Sequence, residues 1–271
     1  MAAGARVAMR TVILSALLAL LAAGSSPLCA RPREKAADHP AKVVDAGTFA
    51  IMIAGRKVGT ETFTIRQSAD NSSTASSEIR IEDGDNKARQ SSELRLGPTG
   101  ELRRYEWHEL QPGKGDLVLE PRDEFLVERI SGEKDKRFEQ PFLLPASTPV
   151  LDDFFFSHRE ILAWRYLATV CKQTSGQWQC STQKAQFGII IPRQRTSSMV
   201  SIEYVGRDRL ALSAEQAELS HFRITSEDTD DWDIWLDRNQ KLVRIVIASS
   251  KTEVVREPER AKPDKQSSPT Q

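Results

Sequence analysis

Ser157 and His158 are the first residues to weigh for chemistry, because a hydroxyl beside an imidazole can supply a nucleophile and its base. They are sequence neighbours inside a helical pattern, and neighbours in a helix point about 100° apart, so the two side chains do not face each other. The plainer reading of His158 is a packed or hydrogen-bonded core residue. The four histidines, His39, His108, His158 and His221, are scattered. None stands at i, i+4 spacing or beside cysteines or acids at zinc spacing, so no metal is expected. G-x-S-x-G, a glycine-rich phosphate loop and H-E-x-x-H are all missing from the chain, which leaves no positive argument for a catalytic residue or a cofactor. The acidic run Glu227, Asp228, Asp230, Asp231 and Asp233 offers the hard oxygens that calcium prefers, yet it lacks the mid-loop glycine. Asn239 stands where the bidentate glutamate would be, so a solvated hairpin loop is expected. A hydrolase built on unrecognised carboxylates such as Glu61, Glu106 or Asp153 is the weakest reading, since nothing sets these apart from surface charges.

The elements that would position any site follow from periodicity. Leu151, Phe154, Phe155, His158, Ile161, Leu162 and Tyr166 recur at helical spacing and predict one long helix over 151–167 with a broad apolar face. Asp152 and Asp153 stand where carboxylates would cap its first turn, behind Pro149. Burying each large side chain is worth roughly 1.5–3 kcal/mol, so this helix must lie on a sheet. The rest reads as strands. Phe49, Ile51 and Ile53 alternate, a turn follows at Gly55-Arg56-Lys57, and Glu61, Phe63 and Ile65 alternate again, with Gly59 marking a bulge. Residues 68–77 read as a loop or strand edge that carries the Asn71-Ser72-Ser73 sequon. Strands are expected at Glu78–Glu82, Lys87–Leu96, Glu101–Glu109, Glu124–Ile130 and Lys136–Gln140, then at Phe187–Ile191, Met199–Val205, Leu219–Thr225, Trp232–Leu236 and Leu242–Ala248. Tyr105 and Trp107 share the buried face of theirs, and His108 faces solvent.

Composition bounds the setting. Arg6 and Arg10 precede an apolar run from Val12 to Ala23, followed by small residues and Pro27, as in a secretory signal peptide. The run is too short for a permanent membrane span, which needs about 20 apolar residues. Cleavage is expected after Ala30, with Gly24 as the alternative, and the Ser-Pro-Leu before Cys29 does not suit a lipid anchor. Loss of residues 1–30 leaves 36 basic and 38 acidic residues, a formal charge of −2. No basic field for nucleic acid results. Two cysteines then remain, and an even pair in an exported chain reads as a disulfide between Cys171 and Cys180. Residues 31–44 and 256–271 are charged and poor in apolar groups, so both are expected to be disordered around a single domain at 45–255.

The segments GTFAIMIAGRKVGTETFTI at 47–65, FFFSHREILAWRY at 154–166, FGIIIP at 187–192 and DIWLDRNQKLVRI at 233–245 resemble a group of exported bacterial proteins of unknown function. The resemblance implies a mainly β fold: a strongly curved antiparallel sheet or half-open barrel wrapped around one helix, similar to periplasmic lipoprotein-carrier proteins. It carries no catalytic or ligand residues with it. A periplasmic or secreted, non-enzymatic protein is therefore expected, binding an apolar ligand such as a lipid acyl chain. Phe154, Phe155, His158, Leu162 and Trp164 would line its site. The alternative is a structural or protein-interaction component of the cell envelope, presenting a strand edge to an envelope protein.

Overall fold

The computed structural model describes residues 41–132, 137–174, 177–180, 183–212, 215–227 and 230–258. The expected signal peptide at 1–30, residues 31–40 of the following segment, and the tail beyond residue 258 lie outside the described residues.

Eight strands come first: β1 (Lys42–Ile53), β2 (Arg56–Gln67), β3 (Ser73–Asp83), β4 (Asn86–Leu96), β5 (Leu102–Gln111), β6 (Gly115–Arg122), β7 (Phe125–Ser131) and β8 (Arg137–Phe142). The helix α1 (Ser157–Val170) follows, then the small hairpin β9 (Lys172–Thr174) and β10 (Gln177–Gln179). The chain ends in β11 (Ala185–Ile191), a 3-10 turn at Pro192–Gln194, β12 (Thr196–Leu212), β13 (Glu215–Ser226), β14 (Trp232–Leu236), β15 (Leu242–Ile247) and β16 (Thr252–Arg256).

Each strand lies antiparallel beside its sequence neighbour, and the two meanders join where β16 pairs with β1, Phe49 opposite Arg256 and Ile51 opposite Val254. The result is one 14-stranded antiparallel sheet whose outer strands are β8 and β11. Among the described residues it is mainly β with a single α-helix, and the sheet does not close, as a half-open barrel requires. Inward residues of both meanders, among them Phe49, Phe63, Leu94, Tyr105, Leu119, Ile202, Phe222, Ile234 and Ile245, form one core with Leu162, Ala163, Tyr166 and Leu167 of α1. A twisted sheet with one apolar face needs a cover, and the helix supplies it. Among the described residues no helix is long and apolar enough to cross a bilayer.

Gly59 shows how sequence shapes the wall. A side chain there would meet the Arg80 carbonyl at 2.4 Å, and the β1–β2 register shifts beside it, between Ile51 and Met52, as the expected bulge. The disulfide joins Cys171 to Cys180 behind the helix.

Several boundaries differ from expectation. The helix begins at Ser157, six residues later than Leu151. Residues 150 and 151 are held extended instead: Val150 bridges Ile190 in parallel, and the Leu151 N–H donates to the Ile190 carbonyl at 3.0 Å. The strand β1 starts inside the segment expected to be disordered, and Asp45 is fully buried. The 68–77 stretch enters β3 at Ser73. The strand β6 is not among the expected strands; Pro121 stands at its second-to-last position, and pairing with β5 and β7 on both sides holds it.

Candidate functional site

Consecutive strands bring apolar ends to one mouth of the curved sheet. Ile51 and Ile53 from β1, Val58 from β2, Ile81 from β3, Ala88 from β4, Trp232 from β14 and Ile247 from β15 line a cleft of about 910 Å³. Phe154 and Phe156, just before α1, complete its wall. Ile51, Val58, Phe156 and Ile247 are buried deep, whereas Ile53 and Phe154 are 39% and 44% exposed. The rim is polar, with Asp83, Gln90, Asp153, Gln194, Glu227, Asp230, Ser250 and Thr252.

A buried polar network holds the 152–159 segment against the sheet. Phe156, the residue before α1, offers no capping side chain. Glu61 does the work from β2. Its carboxylate accepts the N–H of Phe156 at 2.7 Å, the N–H of Ser157 at 3.3 Å and the Ser157 hydroxyl at 2.8 Å. A carboxylate at the positive end of the helix dipole satisfies donors that would otherwise be orphaned. Burial pushes the Glu61 carboxyl up, and the bonds from Ser157, Ser77 and Phe156 pull against it. The Ser157 and Ser77 hydroxyls are also 2.9 Å apart.

Asp152, expected to cap the helix, is fully buried and accepts the Tyr105 hydroxyl at 2.5 Å. Its own N–H donates to Nδ1 of His158 at 3.3 Å. The imidazole therefore accepts at Nδ1, and burial pulls its pKa down to about 3, which keeps it neutral. Burial and then His158's cationic neighbour Arg159 account for that shift. Arg159 is itself 2% exposed, donates to the carbonyls of Asp152 and Phe155, and lies 4.0 Å over the Trp232 ring. Burial lowers it to about 10, so it stays charged at neutral pH. Arg193, from the 3-10 turn, packs against Phe154 at 4.5 Å, approaches Asp152 at 3.6 Å and donates to Gln90.

Of the five residues expected to line a ligand site, Phe154 lines the cleft. Phe155, His158 and Leu162 are 0–2% exposed within the core. Trp164 is half-buried, and its indole N–H donates to the Gln240 carbonyl at 2.6 Å. Phe156 and Trp232 also lie on the cleft wall, although neither is among the five residues expected to line the site. Trp232 stands between Asp231 and Asp233 and so reads as part of the acidic run, and Phe156 is the last of three consecutive phenylalanines, of which the helical spacing selects the first two. Ser157 and His158 do not meet: the hydroxyl bonds to Glu61 and the imidazole to Asp152. Glu106 pairs with Arg104 at 2.8 Å, and Asp153 accepts from Gln194 at 2.9 Å on the rim. His108 is partly exposed against Asp116, as expected, while Tyr105 is buried and Trp107 packs on the core. Asp233, from the acidic run, holds His221 at 2.8 Å and Arg223 at 2.9 Å; residues 228 and 229 lie outside the described residues. Among the described residues no three His, Cys, Asp or Glu side chains could together hold a metal ion.

No known family profile matches the sequence, and no curated protein matches it. Among solved structures the fold is similar to a crystal structure titled a beta-barrel-like protein of domain of unknown function DUF1849 from Brucella abortus. The match has 9% sequence identity, a TM-score of 0.50, and covers 78% of this chain and 94% of that one. The likeness is therefore one of fold: this chain shares a barrel-like architecture with a protein of an uncharacterised family.

Proposed function

We propose that this is an exported, non-enzymatic cell-envelope protein that takes an apolar chain, such as a lipid acyl chain, in the cleft walled by Ile51, Ile53, Val58, Phe154, Phe156 and Trp232. The lipoprotein-carrier likeness of its sequence motifs belongs to the same reading. The observation that carries it is the cleft itself: about 910 Å³, apolar in its depth and open to solvent. That size falls within the roughly 300–1,000 Å³ of small-molecule sites. Each buried methylene contributes about 0.8 kcal/mol, so affinity should rise about fourfold per added methylene until the cleft is filled. Phe155, His158 and Leu162 are buried in the core, so in this reading they do not form the wall.

The test is titration with a neutral fluorescent probe, N-phenyl-1-naphthylamine, and displacement by neutral alcohols of increasing chain length. One saturable site, chain-length dependence, and weakening by Phe154→Ala are expected. Phe154 is 44% exposed, so its truncation should leave the fold intact. Non-saturable binding, or displacement indifferent to chain length, refutes the reading.

A second reading has its own observation. Among the described residues the strands β8 and β11 end the sheet with no further strand beyond them, apart from the Val150 bridge at Ile190. Unpaired edges can accept a partner's extended segment. An envelope partner captured by this edge should be lost on Gln186→Pro, and a variant that captures it equally well removes this alternative.

A further inference from the structure

A second, smaller cavity of about 350 Å³ lies at the other end of α1 and β14 from the cleft. Phe156, just before α1, and Trp232, at the start of β14, line the cleft, whereas Leu167 late in α1 and Arg238, Asn239 and Gln240 in the turn after β14 line this cavity. From Phe156 to Leu167 the chain rises about 16 Å along the helix, so the two sites are separate.

The floor of the cavity is apolar, with Leu167, Leu219 and Phe222 no more than 2% exposed. Aromatic walls stand over it. The β12–β13 register shifts between Tyr204 and Gly206, and Tyr204 sits opposite Phe222 with ring centroids 5.4 Å apart. Trp178 comes from β10, where it pairs with Gln173 of β9, and the Cys171–Cys180 disulfide ties that hairpin to the end of α1. The disulfide therefore fixes an aromatic wall as well as a loop.

The polar groups of the lining do not cancel. Arg207 and Glu218 pair with each other at 3.0 Å. Arg238 remains, and among the described residues its guanidinium makes no ion pair. The Trp178 indole N–H likewise donates to no atom of the described residues. Other charges nearby are engaged elsewhere and are not part of the lining: Asp237 accepts the N–H groups of Asn239 and Lys241 inside its own turn, Lys241 pairs with Asp45, Glu203 with Lys184, and Asp208 with His221 and the Trp235 indole. A donor pair is left over and no lining carboxylate is.

Aromatic walls around an apolar floor suit a flat ring, which gains from edge and face contacts with its neighbours. A free guanidinium at the rim suits a carboxylate, which it can grip through two parallel N–H donors. We propose that this cavity binds a small planar aromatic carboxylate, its ring against Trp178, Tyr204 and Phe222 and its carboxylate on Arg238. The volume lies at the lower end of the roughly 300–1,000 Å³ of small-molecule sites, which fits one or two fused rings. The site is independent of the apolar cleft and of the carrier reading.

Calorimetric titration at neutral pH and low ionic strength with three probes of one ring size tests both halves of the argument: 2-naphthoate, neutral 2-naphthol and cationic 2-naphthylmethylammonium. The carboxylate should saturate one site and bind about fivefold tighter than the naphthol, an advantage that one exposed ion pair can supply and that salt should erase, with the ammonium weakest. Arg238→Gln, at an exposed turn position, should bring the carboxylate down to the affinity of the naphthol and leave urea unfolding unchanged. In a proton–nitrogen correlation spectrum of the parent, 2-naphthoate should move the Trp178 indole resonance and leave that of Trp232, on the cleft wall, in place. Equal affinities for carboxylate and naphthol, a preference that survives Arg238→Gln, or movement of Trp232 in place of Trp178 overturns the proposal, as does failure of all three probes to bind.

Discussion

Replacing Glu128 with glutamine should make the protein more stable in mild alkali and leave it nearly unchanged in mild acid. Glu128, on β7, is fully buried, and among the described residues neither carboxylate oxygen has a hydrogen-bond partner. Burial pushes its carboxyl up from 4.5 to about 8, with Asp152 adding to the rise and Arg195 opposing it. Below about pH 4.5 both folded and unfolded chains hold the proton. Between about pH 4.5 and pH 8 the unfolded chain releases it while the folded chain keeps it, so stability falls as pH rises. At 1.36 kcal/mol per pH unit the ceiling is about 5 kcal/mol, and polar neighbours and water reduce it to about 2–3 kcal/mol. Glu128→Gln removes the titrating group while keeping the shape. Urea unfolding followed by tryptophan emission should show parent and variant within about 1 kcal/mol of each other near pH 5, and the variant ahead by about 2–3 kcal/mol near pH 8.5. Glu61, Asp152 and Glu160 are also raised by burial and tilt both curves alike, so the difference isolates Glu128. Parallel parent and variant curves across that range would refute the reasoning.

The opposite sign applies to His158. Its folded pKa lies near 3 against an ordinary 6.5, so stability is lost as pH falls from about 6.5 toward 3. In His158→Asn, whose side-chain oxygen can still accept the Asp152 N–H, the acid limb of a stability–pH profile should flatten by up to about 1.4 kcal/mol per pH unit. Glu61→Ala strips the helix of its cap and strands buried donors at Phe156 and Ser157, so chemical denaturation should register a loss of about 3–5 kcal/mol. Replacing both Cys171 and Cys180 by serine opens a ten-residue loop and should lower stability by about 2.7 kcal/mol on the chain-entropy estimate, measured against the oxidised parent.

The neighbour from Brucella abortus shares the barrel-like fold at 9% identity, so the architecture tolerates almost complete replacement of side chains. Inward apolar alternation and short turns suffice to specify such a meander.

Local chemistry made much of this protein legible in advance. Period-two alternation in Phe49, Ile51, Ile53, Phe63 and Ile65, a bulge-forming Gly59, a helix rich in aromatics and an even pair of cysteines are all short-range signals, and from them follow the hairpins, the mainly β content and the disulfide, whereas the curved, half-open sheet is what the resemblance implies. Even Glu61 carried a clue, since it stands in phase with Phe63 and Ile65 and so on the buried face. Its partner was invisible. A carboxylate on a strand and a helix end 95 residues away are joined only when the sheet curls, and that contact displaced the expected Asp152 cap and set where the helix starts. The cleft is likewise a product of closure. Strands far apart in sequence meet through the pairing of β16 with β1, and only then do Ile51, Phe154 and Trp232 share a wall. Periodicity reports which face of an element is apolar, whereas the tertiary structure decides whether that face is filled, as at Phe155 and Leu162, or left open, as at Phe154.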